Sequence, residues 1–132
     1  MCIFCMIANH EIPSSVVYED DTVIAILDLS QVTKGHTLVM PKEHYETLID
    51  VPSQLAMHMM EVVQIVAKRL TTNLHAKGFN VLNNGGELAG QTVMHAHIHI
   101  IPRYEENDGF DVQFHTTEKP KDLAAVLSEI NG

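Results

Sequence analysis

The sequence predicts an α+β fold, an antiparallel sheet of about five strands with one long helix and one short C-terminal helix on one side. Three observations predict it. Short β-branched runs separated by turn signals fill the first forty residues. A single stretch near the middle has helical periodicity. Near residue 95, apolar and imidazole side chains alternate with a period of two.

Val16–Tyr18 is a short strand candidate, closed by the acidic turn Glu19-Asp20-Asp21. Val23–Leu27 is almost continuously apolar and β-branched, the pattern of a strand buried on both faces. Lys34-Gly35 signals a turn, and His36–Met40 is the next strand, stopped by Pro41. Asp50 and Ser53 bracket Val51-Pro52, a helix start with Pro in the first turn. Leu55, Met59, Val62, Val66 and Leu70 follow at helical spacing, so a long helix runs to about Leu74 and ends before Gly78. Phe79–Leu82 is a short strand and Asn83-Asn84-Gly85-Gly86 a loop. Gln91–Ile101 is a long strand closed by Pro102. Tyr104–Thr117 reads as acidic loop with one edge strand at most, and Pro120, Leu123, Val126, Leu127 and Ile130 mark a short terminal helix.

Composition limits the function. Eight Lys plus Arg stand against 17 Asp plus Glu, a formal charge of −9. That excludes a protein that coats a nucleic-acid polymer, and phosphate must be handled by local donors instead. No apolar run approaches the ~20 residues a membrane span needs. Met1–Ile7 carries no cationic leader, so the cytoplasm is the expected compartment. The 132 residues suit one domain.

Nine histidines are present, and the segment His95-Ala96-His97-Ile98-His99-Ile100-Ile101 concentrates three of them. In a strand, the imidazoles share one face while Met94, Ala96, Ile98 and Ile100 face the core. Neutral imidazole is a nucleophile and proton-transfer group near pH 7, and neighbouring rings can steady an anion. The same pattern also chelates zinc, and a lone buried histidine is ordinarily a core residue. Gly90-Gln91-Thr92 and the Asn-Asn-Gly-Gly loop add amide donors and open backbone that suit phosphate oxygens better than a metal. Cys2-x-x-Cys5 supplies two soft metal ligands. With no third Cys, two His must complete a tetrahedral zinc set, and free thiols or a redox pair are the alternatives.

His95-x-His97-x-His99-Ile100-Ile101, with Gly90-Gln91-Thr92-Val93 before it and Pro102-Arg103 after, resembles the signature of the histidine triad (HIT) family of nucleotide hydrolases and transferases. Cys2-Ile3-Phe4-Cys5, Glu11-Ile12-Pro13, Val17-Tyr18-Glu19-Asp20, Leu27-Asp28-Leu29, Lys34-Gly35-His36 and Pro41-Lys42-x-His44 extend the resemblance over about residues 2 to 103. It leans toward the bacterial Hint-like group, although Gln91-Thr92-Val93 and Pro102-Arg103 also occur in the Fhit-like group. The resemblance implies a HIT-like fold and attack by His97 on the α-phosphate of a purine nucleotide, giving a covalent nucleotidyl-histidine later released by water. It implies that His99 contacts that phosphate, that Asn84, Gln91 and Thr92 hydrogen-bond phosphate or leaving group, and that Asp28 accepts the ribose hydroxyls. Ile3, Phe4, Ile7, Ile26 and Leu29 would form the purine slot, although an ordinary core would hold the same residues. His36 would lie beside the triad, in a hydrogen bond to it. The implied structural zinc set is Cys2, Cys5, His44 and His95, with no organic cofactor. The resemblance further implies a homodimer through about Ser53–Leu74 and Phe79–Leu82, where Met57, Met59 and Met60 spread around the helix. A non-catalytic nucleotide-binding regulator and a metal-dependent enzyme with the triad as ligands are the competing functions.

Overall fold

The structure, a computed structural model, describes residues 1–116 and 122–132. Thr117 and Pro120, which the sequence assigned to the acidic loop and the terminal helix, lie outside the described residues.

Five strands form one antiparallel sheet: β1 (Val16–Glu19), β2 (Val23–Leu27), β3 (Thr37–Pro41), β4 (Gly78–Leu82) and β5 (Ile98–Arg103), in the order β1-β2-β3-β5-β4. Helix α1 spans Ile3–Ala8, α2 spans Ser53–Asn73 and α3 spans Leu123–Asn131. The turn between β2 and β3 needs its glycine: Gly35 has φ +96°, and a Cβ there would stand 2.7 Å from Leu74 Cδ1.

The sheet is covered on both faces, as the unbroken apolar run of β2 requires. Val23 and Ala25 join Val39, Ile98, Ile100 and the α2 stripe Met59, Val62, Val66 and Leu70 in one core. Ile24 and Ile26, pointing the other way, join Leu38, Met40 and the α1 residues Phe4, Ile7 and Ala8 in a second. The sequence reading placed no element at α1. Six residues are too few to show a helical period, and the helix depends on packing for its stability.

Three further expectations are corrected. The segment Gln91–Ile101 is not one long strand: β5 begins at Ile98 and runs through Pro102 to Arg103. Before it, the backbone donors go elsewhere, Gln91 N to Gly86 O, His95 N to Val93 O and Ala96 N to Tyr45 O, so no ladder forms there. Pro102 does not end the strand because β3 stops pairing at Ile100. The Pro102 carbonyl takes the Thr33 hydroxyl at 2.6 Å, and no ladder donor is needed on that side. Met94 is 40% exposed rather than in the core, because the chain bends over Val93–His95. No strand forms in residues 104–116.

Met57, Met60, Phe79 and Val81 are exposed on α2 and the edge strand β4. Met60, Phe79 and Val81 line an apolar groove of about 430 Å³. No described helix is long and apolar enough to cross a membrane. The α3 helix buries none of its residues.

Candidate functional site

The three imidazoles leave the same side of the chain but enter different surroundings. His99 sits on β5, opposite Leu38 of β3 and Leu82 of β4. His97 precedes the strand, its ring 5.0 Å from those of His99 and Phe4. His95 is fully buried, and its ring turns toward the N-terminal cysteines.

Hydrogen bonds settle which ring nitrogens carry protons, because a carbonyl only accepts and a backbone amide only donates. His97 Nδ1–H donates to His95 O at 2.7 Å, which leaves Nε2 with its lone pair. His95 Nε2–H donates to Pro41 O at 2.8 Å, which leaves Nδ1 as the lone-pair nitrogen. The Val32 amide donates to His36 Nδ1 at 3.4 Å, so His36 carries its proton on Nε2. That proton goes to His99 Nδ1 at 2.9 Å, and His99 therefore presents Nε2–H. Burial pushes His97 and His95 below the ordinary imidazole range. It also lowers His99, with His97 and His36 adding to the effect, to about 4. At neutral pH the site holds a neutral imidazole with a free lone pair, His97, beside a neutral N–H donor, His99.

Asp28, at the end of β2, places Oδ2 3.7 Å from His36 Nε2, while its Oδ1 accepts the Ser30 amide at 2.8 Å. Gln31 braces this corner through Asp28 O and His36 O at 2.6 and 2.8 Å. Of the expected apolar slot, Phe4, Ile7 and Ile26 are buried, Ile3 is half-exposed, and Leu29 is fully exposed and packed in neither core.

The Asn83–Thr92 loop divides its polar groups. Gln91 is buried with its amide fully engaged: Oε1 accepts Gly86 N at 2.8 Å, and Nε2 donates to Glu46 O at 2.7 Å and Val93 O at 3.0 Å. It braces the loop, and none of these partners is solvent. Asn84 is half-buried and makes one long contact, 3.5 Å to Gly90 O. Thr92 is exposed, in the wall of an open cleft of about 650 Å³. Asn83, read in the sequence only as one of the loop's amide donors for phosphate, spends its amide inside the protein. Its Nδ2 donates to His97 O at 2.9 Å and fixes the backbone of the central histidine. The signal was a second Asn in a turn where one suffices.

Cys2, Cys5, His44 and His95 place their ligand atoms within 4.8 Å of one another. Cys2 Sγ is 3.4 Å and Cys5 Sγ 3.5 Å from His95 Nδ1, and Cys5 Sγ is 3.4 Å from His44 Nδ1. A tetrahedral zinc ion with ordinary Zn–S and Zn–N bonds needs sulfur–nitrogen edges of about 3.5 Å. His95 offers its lone pair to the cluster and ties its other nitrogen to a carbonyl, as metal-bound imidazoles do. Burial, and then the Cys2 sulfur beside it, raise the Cys5 thiol, so two thiolates side by side here call for a cation. The donor set therefore fits zinc. Asp28, His36 and His99 form a second group of suitable atoms, and neither group includes His97.

Comparison with known proteins agrees with this geometry. A HIT domain family model matches residues 9–106. "Protein hit" of Bacillus subtilis is 48% identical over 132 residues, covering 98% of this chain and 91% of the relative. The adenosine 5'-monophosphoramidase HNT1 of Saccharomyces cerevisiae is 37% identical over 126 residues, 96% of this chain and 77% of that one. The adenylylsulfatase HINT3 of Arabidopsis thaliana is 40% identical over 106 residues, 80% of this chain and 54% of that one. A crystal structure of a HIT family member from Bacillus subtilis superposes with a TM-score of 0.91 at 47% identity, covering 98% of this chain and 94% of that one. A zinc-bound histidine triad family protein from Mycobacterium smegmatis gives 0.78 at 35% identity, covering 98% and 95%.

Proposed function

The chain belongs to the HIT domain family, and from that premise we propose that it is a hydrolase or transferase acting on the α-phosphate of a purine nucleotide, a phosphoramidate or a dinucleoside polyphosphate. The observation that carries the reading is the His97 tautomer: Nδ1–H is held by a backbone carbonyl, so Nε2 carries the lone pair.

In this mechanism the His97 Nε2 lone pair forms a bond to the α-phosphorus, and the bond from phosphorus to the leaving nitrogen or oxygen breaks. The leaving group departs with the electron pair and takes its proton from solvent. Water then adds to the phosphorus and gives up a proton to solvent, the P–N bond to His97 breaks with its electron pair returning to Nε2, and a nucleoside monophosphate leaves. Both displacements build charge on the phosphoryl oxygens, and the His99 Nε2–H is the donor suited to meet it. His36 is a positioning residue that holds His99 in that tautomer. Asp28 has the acceptor chemistry for ribose hydroxyls, and Phe4, edge-on to His97, forms the floor of the base slot. Asn84 and Thr92 would supply the loop's donors to phosphate or leaving group, and Gln91 acts through the loop it braces.

Cys2, Cys5, His44 and His95 would hold a structural zinc. It would pin α1 to the sheet beside the triad, leaving the chemistry to His97 and His99. The yeast and plant relatives' names and the zinc-bound neighbour support these readings. The apolar groove between α2 and β4 supports a homodimer through that face. The two thiols, unpaired, suit the cytoplasm.

The test is turnover of adenosine 5'-phosphoramidate and of diadenosine polyphosphates by the purified protein. Release of AMP that survives a strong chelator supports the proposal. AMP binding without turnover of any substrate would instead make the protein a nucleotide-binding regulator.

A further inference from the structure

Residues 104–110, part of the Tyr104–Thr117 stretch that by composition reads as acidic loop, fold with Arg103 at the end of β5 around one carboxylate. Asp108 Oδ1 receives Arg103 Nε at 2.9 Å and lies 2.8 Å from Nη2, while Oδ2 accepts the Tyr104 amide at 2.8 Å. Arg103 Nη1 donates to Asn80 Oδ1 at 2.9 Å, and its guanidinium lies 5.6 Å over the Phe110 ring. The Tyr104 hydroxyl reaches back to Lys34 O at 2.6 Å. Arg103 and Tyr104 thus fasten the start of the loop to β4 and to the β2–β3 corner, and Asp108 ties its far part back to them.

The residue after Asp108 is Gly109, with φ +105°. A Cβ there would stand 2.3 Å from Val32 O, a backbone atom that cannot swing aside. The loop therefore closes directly on the Val32 peptide and leaves no space for a side chain. Val32 is also the residue whose amide donates to His36 Nδ1. That bond, at 3.4 Å, is long, so a few tenths of an ångström of displacement breaks it.

We propose that Gly109 is a positioning residue for nucleotidyl transfer: by seating the 103–110 loop on Val32, it keeps the Val32 amide on His36 Nδ1 and thereby fixes the tautomers of the His36–His99 pair. The inference rests on the reading of His99 as the donor to phosphate. Without the Val32 amide, His36 is free to carry its proton on Nδ1. The proton between the two rings then belongs to His99 Nδ1, and His99 turns a lone pair, in place of an N–H, toward the phosphoryl oxygens. The exchange moves protons only within the two rings, and the base slot and the Asp28 Oδ1 bond to the Ser30 amide stay in place.

The experiment is nitrogen-15 imidazole NMR on the full-length protein, run beside steady-state kinetics and AMP binding, for wild type, Gly109→Ala, Asp108→Ala and Gly78→Ala. In wild type, His36 and His99 both show protonated Nε2. Gly109→Ala mixes or inverts this pattern and lowers kcat roughly 10- to 100-fold, with AMP affinity within about two-fold. Asp108→Ala frees the loop without adding bulk, shifts the pattern in the same direction, and carries the test if Gly109→Ala does not fold. Gly78→Ala, at a position with open space, changes nothing. Wild-type tautomers in both folded loop variants, or wild-type kcat in Gly109→Ala, would overturn the proposal. The tautomer measurement needs no substrate, so a wild-type protein without turnover removes the functional reading and leaves this arm to be judged separately.

Discussion

His97 Nδ1 lies 2.7 Å from the carbonyl oxygen of His95, two residues earlier in the chain. The ring is therefore oriented by the backbone of the preceding triad histidine, in the stretch just before β5. The bond fixes the ring plane and the tautomer together, and it survives any change of the His95 side chain. Replacing His97 with Asn removes the nucleophile and leaves the fold, since the core is formed by the alternate residues Ala96, Ile98 and Ile100. Turnover of a nucleoside phosphoramidate falls by roughly 10,000-fold or more, and calorimetry shows AMP affinity retained.

His36 acts through His99. His36→Leu takes away the proton donated to His99 Nδ1, so His99 loses its fixed tautomer. The expected effect is a drop in kcat of about 10- to 100-fold with little change in KM. An equal rise in KM with unchanged kcat would mean that His36 serves binding and leaves the donor alone.

Zinc content and stability should move together. Cys5→Ser leaves His44, Cys2 and His95 without a complete soft set, and metal analysis should fall from about one zinc per chain to a small fraction. Loss of a ligand that had saturated its site about a hundred-fold over Kd removes roughly 2.7 kcal/mol, which lowers Tm by several degrees in a chain of this size. An unchanged Tm in metal-free protein would show that the cluster holds itself together without an ion.

Far from the triad, His58 on α2 contacts Asp20 Oδ2, which also accepts the Tyr18 hydroxyl. The bond to Asp20 raises His58 above the ordinary imidazole value. Burial works to raise Asp20, but the bonds from Tyr18, Thr22, His58 and Val23 outweigh it and hold the carboxyl well below its usual range. The sign follows from linkage: the His58 contribution is fully present below about pH 6.5 and is lost as pH rises through its elevated folded value. The Asp20 contribution is present above about pH 4 and lost in stronger acid. His58→Gln should therefore lower Tm more at pH 5.5 than at pH 8.5. Equal losses at both values would reduce this tie between helix and sheet to packing.

Much of this arrangement was legible in the residues. The helical stripe from Met59 to Leu70, the buried run Val23–Leu27 and the alternation of Ala96, Ile98 and Ile100 with the histidines all report burial, and burial is what periodicity encodes. The four metal-binding candidates, implied by family resemblance, fold into one cluster. What escaped was set by long-range hydrogen bonding. The backbone before Ile98 looks like a strand in sequence, yet its donors are taken by Tyr45 O and Gly86 O, groups no local pattern reveals. Gln91 has the chemistry of a phosphate donor, but the Glu46 and Val93 carbonyls claim its amide. Asp108 and Gly109 sit in a stretch whose acidity suggests solvent. Only the tertiary fold supplies Arg103 to the one and the Val32 peptide to the other.

The central claim is that His97 becomes covalently nucleotidylated during turnover. Its most direct test is rapid acid-free quenching of the protein with a nucleoside phosphoramidate, followed by peptide mapping for the site of attachment. The account predicts one nucleoside monophosphate on the peptide carrying His97, attached through nitrogen and absent from His97→Asn. Turnover at the wild-type rate with no adduct on that peptide, or with the adduct on another residue, would contradict it.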